Sequence, residues 1–147
     1  MLKLLIYFVV FGCLGTTTEV FFTAISNNIS QFRSTKNIDA RLLGESYVWM
    51  FFIYGSAGIL FHLFFPIIGD YPIIVRLLTY TIGIFAVEFF TGWLIEKITG
   101  ACPWHYYHKW AVKGYIRLDY APLWLGFGFV LEQVFLLLES LRFVGMS

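Results

Sequence analysis

Three glutamates lie within strongly apolar stretches of this 147-residue sequence: Glu19, Glu88 and Glu132. A charged side chain is costly in hydrocarbon, so an ionisable residue in a membrane span is a candidate functional residue. Each glutamate has a glycine four residues away on the same helical face: Gly15, Gly92 and Gly128. Convergent carboxylates repel one another when ionised. We therefore predict a polar intramembrane pocket that binds a cation, a proton or an amphipathic substrate.

The segment that contains Glu88 and Glu132 also supplies the remaining residues of the predicted substrate site. These are aromatic or polar side chains of the third loop and the fourth apolar stretch: Trp104, His105, Tyr106, Trp124 and Gln133. A competing interpretation is that protonated glutamates only hydrogen-bond between helices and hold them together.

A possible metal site is the sequence C-x2-H-x2-H formed by Cys102, His105 and His108. Thiolate and imidazole groups are the usual ligands of zinc. The spacing is short, however, Pro103 lies inside it, and no fourth ligand is nearby. An aromatic loop at the membrane–water boundary explains these residues better, and a carboxylate metal site inside the helix bundle is a less favoured alternative. We predict no metal and no cofactor.

The composition indicates a membrane protein. Hydrophobic residues make up 59% and charged residues 13%, whereas soluble domains have about 45–50% and about 25%. The net charge of +1 does not supply the basic surface that nucleic-acid binding requires. Four apolar stretches can each cross a hydrocarbon core of about 30 Å: residues 2–25, 46–69, 73–95 and 120–138. We predict one all-α domain over residues 1–147, a bundle of four transmembrane helices, with an aromatic loop between helices 3 and 4 that can re-enter the membrane.

The distribution of basic residues predicts the orientation of the helices. Loops one and three, which follow the first and third apolar stretches, hold seven of them: Arg33, Lys36, Arg41, Lys97, Lys109, Lys113 and Arg117. The opposite side holds three: Lys3, Arg76 and Arg142. Because basic residues are enriched in cytoplasmic loops, we predict that loops one and three are cytoplasmic. The three glutamates would then lie in the cytoplasmic half of the membrane.

Several motifs resemble the transmembrane protein 229 family, which is grouped with bacterial proteins catalogued as ABC-transporter permeases of type IV (CmpB-like). They are Glu19-Val20-Phe21-Phe22-Thr23-Ala24, Phe52-Ile53-Tyr54-Gly55, Glu88-Phe89-Phe90-Thr91-Gly92, Ala101-Cys102-Pro103-Trp104, the segment from Gly114 to Trp124, and Glu132-Gln133. The resemblance implies a polytopic fold and a permease-like role. One departure is His105, where the family pattern usually has aspartate. No GxxxxGK[ST] motif is present, so ATP-driven transport would require a separate ATPase subunit.

Two classes of function fit these features, and the sequence leaves open whether the chain is an enzyme. The first is a permease-like or transport-associated membrane protein. The second is a small intramembrane enzyme that uses a glutamate as acid or base on a lipid or isoprenoid. A third possibility is a scaffold for other membrane proteins, in which glutamine would replace each glutamate without loss. The expected partners are membrane lipids and either a second copy of the chain or another membrane protein.

Overall fold

The computed structural model describes residues 1–141, which form four long helices and a small β-hairpin. The helices are α1 (Leu2–Thr35), α2 (Val48–Ile68), α3 (Ile73–Thr99) and α4 (Ala121–Ser140), and a short 3-10 helix (Leu118–Tyr120) leads into α4. Four helical segments within the described residues are long and apolar enough to cross a membrane. The prediction of an all-α membrane fold with four spanning helices is confirmed. Arg142, used in the orientation argument, lies outside the described residues.

Helix α1 continues to Thr35, whereas the sequence predicted that the first span ends at residue 25. The additional turns contain no glycine or proline, so nothing in them breaks a helix. Asn28 donates a side-chain hydrogen bond of 3.0 Å to the carbonyl of Ala24 in the preceding turn. The helix stops at Lys36, whose left-handed backbone (φ 60°) turns its N–H to the carbonyl of Phe32. Local polar contacts of this kind allow the helix to extend beyond the apolar stretch.

Contacts within the chain group its residues into two compact units, Met1–Leu60 and a second unit that begins at Phe61. Helix α2 begins in the first unit and ends in the second. The single domain predicted for residues 1–147 stays a prediction.

In the first unit, α1 packs against the beginning of α2 at positions occupied by glycine. A Cβ atom added at Gly12 would lie 2.9 Å from the carbonyl oxygen of Phe51, and one at Gly58 would lie 2.6 Å from that of Tyr7. The two backbones therefore approach more closely than a larger residue would permit. Tyr7 and Phe11 are completely buried at this contact.

In the second unit, α3 and α4 pack together and a β-hairpin joins them. Tyr80 of α3 lies against Gly128 of α4, where an added Cβ would be 3.0 Å from the Cβ of Tyr80. The hairpin pairs β1 (Ala111–Val112) with β2 (Ile116–Arg117) in antiparallel register. Lys113 and Gly114 at its turn have φ angles of 52° and 79°, as type I′ turns require. The re-entrant loop stays a prediction.

Candidate functional site

Glu132 forms a buried ion pair with Arg76, and Tyr80 joins this pair. We call these three residues the Arg76 cluster. The guanidinium of Arg76 donates from Nε and Nη2 to the two carboxylate oxygens, at 2.9 and 2.7 Å. Tyr80 adds a third hydrogen bond, 2.7 Å from its hydroxyl to Oε2. The side chain of Glu132 is only 1% exposed. A bidentate pair of this kind neutralises the carboxylate and fixes its geometry.

Arg76 also holds the connection between α2 and α3. Its Nη1 donates to the carbonyls of Gly69 and Tyr71, at 3.2 and 2.8 Å. The sequence identified Glu132 but neither of its partners. A signal was present, because Arg76 and Tyr80 are four residues apart on one helical face, and intramembrane charges usually pair with each other.

Glu88 lies in a different set of contacts, with Tyr106, Tyr120 and Trp124. We call these four residues the Glu88 site. The hydroxyl of Tyr106, in the segment before the hairpin, donates to Oε1 of Glu88 at 2.8 Å. The ring of Tyr106 meets that of Tyr120 edge to face, with centroids 5.9 Å apart. Tyr120 in turn meets Trp124 edge to face, at 6.2 Å. The rings of Tyr106, Tyr120 and Trp124 thus form a row of successive contacts that begins at the carboxylate of Glu88 on α3.

Trp124, in the first turn of α4, has a buried polar atom in addition to its ring contact with Tyr120. Its indole Nε1 is buried and has no hydrogen-bond partner within residues 1–141. A buried N–H group without an acceptor costs about 1–3 kcal/mol. Such a donor can be satisfied by a ligand or water oxygen. Of the predicted site residues, Glu88, Tyr106 and Trp124 are therefore brought into one aromatic neighbourhood.

A second carboxylate, Glu96, lies two helical turns beyond Glu88 on the same face of α3. It accepts a hydrogen bond from the hydroxyl of Tyr115, which raises the pKa of that tyrosine. Its Oε2 is buried and has no hydrogen-bond partner in the part of the chain that the structure describes. Sequence analysis did not include Glu96. The spacing Glu88, Gly92, Glu96 was the signal that could have identified it.

Between the two carboxylates the loop packs onto Gly92. A Cβ atom there would lie 3.3 Å from Trp104 and Tyr115 and 3.4 Å from the sulfur of Cys102. Trp104 is buried, and its Nε1 donates to the carbonyl of Tyr115 at 3.1 Å. Trp104 therefore holds the loop on α3, and its predicted place in the substrate site stays a prediction.

The residues of the C-x2-H-x2-H motif have separate surroundings. Cys102 is buried, and burial raises the pKa of its thiol. The ring of His105 packs on that of Tyr107, with centroids 4.7 Å apart. His108 lies with its Nδ1 3.8 Å from Asp119 Oδ1. Among residues 1–141, no group of three or more histidine, cysteine, aspartate or glutamate residues is arranged to hold a metal.

The two remaining predicted residues lie outside these contacts. Glu19 belongs to the first unit, where its Oε2 accepts a hydrogen bond of 2.7 Å from Ser46. Gln133 is exposed on α4. Within the second unit, Tyr80 precedes Glu88 by eight residues, so the Arg76 cluster and the Glu88 site are separated by about 12 Å along α3. Convergence of all three glutamates stays a prediction.

Comparison with known proteins gives one family match. A family model described as "Putative ABC-transporter type IV" matches residues 6–144, which include most of α1, all of the other three helices, and both Glu88 and Glu132. No solved structure matches the chain. The resemblance to the transmembrane protein 229 family stays a prediction.

Proposed function

Since the chain belongs to the family of ABC-transporter type IV proteins, we propose that it is a permease-like membrane subunit whose Glu88 site binds a cationic substrate. The four spanning helices and the family match support the permease-like role. The observation that carries the choice of site is the hydrogen bond between Glu88 and Tyr106, surrounded by aromatic rings.

The chemistry of the Glu88 site favours a cation. The hydroxyl of Tyr106, a neutral donor, binds Oε1 of Glu88. The guanidinium of Arg117 lies 4.2 Å from the centroid of the Tyr120 ring, so one ring of the site already has a cation against it. Tyrosine and tryptophan rings attract cations through the negative electrostatic potential of their faces, by about 0.5–2 kcal/mol each. A carboxylate and aromatic rings together are the groups that recognise ammonium ions. The buried N–H of Trp124 would bind an oxygen of the same ligand.

The Arg76 cluster is the contrasting case in the same unit. Glu132 has a guanidinium as its partner, so its charge is already compensated. An additional cation would have to displace Arg76 from two hydrogen bonds. We therefore assign Glu132 a structural role, and we assign Glu88 the role of binding the cationic substrate.

The proposed arrangement in the membrane follows the basic residues. Loops one and three face the cytoplasm, and the Glu88 site, which lies beneath the third loop, then opens on the cytoplasmic half. The segment with the aromatic residues is the proposed entrance, because Tyr106 both precedes the hairpin and contacts Glu88.

The proposal is tested by measuring the thermal unfolding of the purified chain with tetramethylammonium chloride and, at equal ionic strength, sodium chloride. A ligand at 100 times its dissociation constant stabilises the folded state by about 2.7 kcal/mol. We expect tetramethylammonium to raise the midpoint of the unmodified chain, and Glu88→Gln to abolish this increase. Glu45→Gln, which removes the same charge from an exposed loop position, is the matched control and should keep the increase.

Uptake of radiolabelled tetramethylammonium into vesicles that contain the chain then separates transport from binding alone. If tetramethylammonium stabilises a folded Glu88→Gln variant as much as the unmodified chain, Glu88 does not bind the cation. The glutamate then only connects α3 to the segment before the hairpin. Stabilisation without uptake would support a binding role or the intramembrane enzyme instead of a permease.

A further inference from the structure

The hairpin and the residues just before it carry aromatic and basic side chains that stay largely exposed within the second unit. Tyr107 is 92% exposed and Trp110 is 52% exposed, and Val112 beside them is also exposed. Lys109 and Lys113 are exposed as well. We call these five residues the hairpin surface. A large exposed tyrosine and tryptophan next to two lysines indicates a surface that is covered by something amphipathic.

The charge of the hairpin surface is not compensated. Arg117 on β2 pairs with Asp119, so that its charge is balanced. Lys109 and Lys113 have no acidic partner within residues 1–141. The ammonium of Lys109 lies 5.9 Å from the centroid of the Trp110 ring, which positions it beside an apolar group instead of a carboxylate. The surface therefore presents two unpaired positive charges and favours an anionic partner.

The backbone of the hairpin fixes these side chains. The N–H of Leu118 donates to the carbonyl of Trp110 at 3.0 Å, and the N–H of Trp110 donates to Nδ1 of His108 at 3.3 Å. Lys113 occupies the tight turn between β1 and β2 with positive φ, and it is exposed. The backbone positions of the aromatic and basic residues are thus set before any partner binds, which reduces the entropy lost on binding.

The position of the hairpin identifies the partner. It connects α3, which ends at Thr99, to the next membrane-crossing segment, which begins at Leu118. A connection between two spanning helices lies at a membrane surface, where tyrosine and tryptophan occupy the headgroup level. Lysine near that level attracts the phosphate groups of acidic lipids. We infer that the hairpin surface binds the headgroup of an anionic phospholipid, with Lys109 and Lys113 on the phosphate and Tyr107 and Trp110 at the acyl boundary.

This inference does not depend on the proposed substrate, since none of the five residues belongs to the Glu88 site. The test is a titration of phosphatidylglycerol into the full chain in nonionic micelles, followed by tryptophan fluorescence and by thermal unfolding. Phosphatidylcholine and inorganic phosphate are titrated in parallel. We expect binding of phosphatidylglycerol only, because both the negative charge and the acyl chains contribute.

The double variant K109Q/K113N should bind phosphatidylglycerol about thirty-fold more weakly, because each lysine near an acidic surface contributes about 1 kcal/mol. Asparagine is chosen at position 113 because it tolerates positive φ better than most residues. The matched control R33Q/K36N, which also places asparagine at a position with positive φ, removes two exposed charges from the C-terminal end of α1 and should leave the affinity unchanged.

Three results would overturn the inference. One is an affinity for phosphatidylcholine equal to that for phosphatidylglycerol. Another is an equal loss of affinity for phosphatidylglycerol in the two double variants. The third uses the unmodified chain alone, so that it holds even if K109Q/K113N does not fold. Affinity for phosphatidylglycerol should fall as sodium chloride is added, because salt screens exposed charges, and an affinity independent of salt would contradict the assignment.

Discussion

Removing the charge of Glu132 should destabilise the second unit more than any other single glutamate substitution. Glu132 is 1% exposed and accepts three hydrogen bonds, two from Arg76 and one from Tyr80. Loss of one partner of a buried ion pair costs about 3–5 kcal/mol, because the other charge stays buried without compensation. The loss of stability for Glu132→Gln should lie at the lower end of this range, since the side chain of Arg76 is 19% exposed and keeps its bonds to the carbonyls of Gly69 and Tyr71.

The assay is unfolding of the purified chain by heat or by titration with dodecyl sulfate in mixed micelles. Tyr80→Phe removes one hydrogen bond to a charged acceptor and should cost about 1.5–3 kcal/mol. The double variant R76L/E132L leaves no charge unpaired, and it should therefore lose much less stability than the sum of its two single variants. Asp39→Asn is the control, because the side chain of its partner Arg41 is 75% exposed and exposed pairs contribute little.

Two results would refute this reasoning. The first is a loss below about 1 kcal/mol for Glu132→Gln, which is the range of an exposed pair. The second is additivity of the two single variants in R76L/E132L, which would mean that Arg76 and Glu132 act independently.

Two further predictions concern the first unit and the orientation of the chain. Gly15→Leu should destabilise the chain, since even a Cβ atom at this position would overlap the ring of Tyr54, whereas Gly83→Ala, with nothing within 4 Å of the added Cβ, should not; equal unfolding midpoints would rule out close packing at Gly15. In a cysteine-free background, Lys36→Cys and Lys109→Cys should resist a membrane-impermeant maleimide in intact cells and react after lysis, and labelling of both in intact cells would reverse the orientation.

The sequence by itself determined the four spanning helices. Their apolar length and the scarcity of charge leave no other backbone structure for these segments, because hydrocarbon offers no hydrogen-bond partner to an open backbone. Helical periodicity also related Glu88 to Gly92 and Gly128 to Glu132. It could have added Glu96, since positions four apart share a face whatever the tertiary structure.

Only the tertiary structure decided which partner each glutamate contacts. Glu88 and Glu132 look alike in the sequence, each in an apolar segment with a glycine four residues away. Their partners differ because antiparallel packing of α3 and α4 brings Arg76 to Glu132, from 56 residues away, and the segment before the hairpin brings Tyr106 to Glu88. Pairing between residues so far apart in the sequence depends on which helix faces meet and on the relative positions of the two helices along their axes. Neither quantity is contained in the local pattern of residues, and the charge state and availability of a buried carboxylate depend on both.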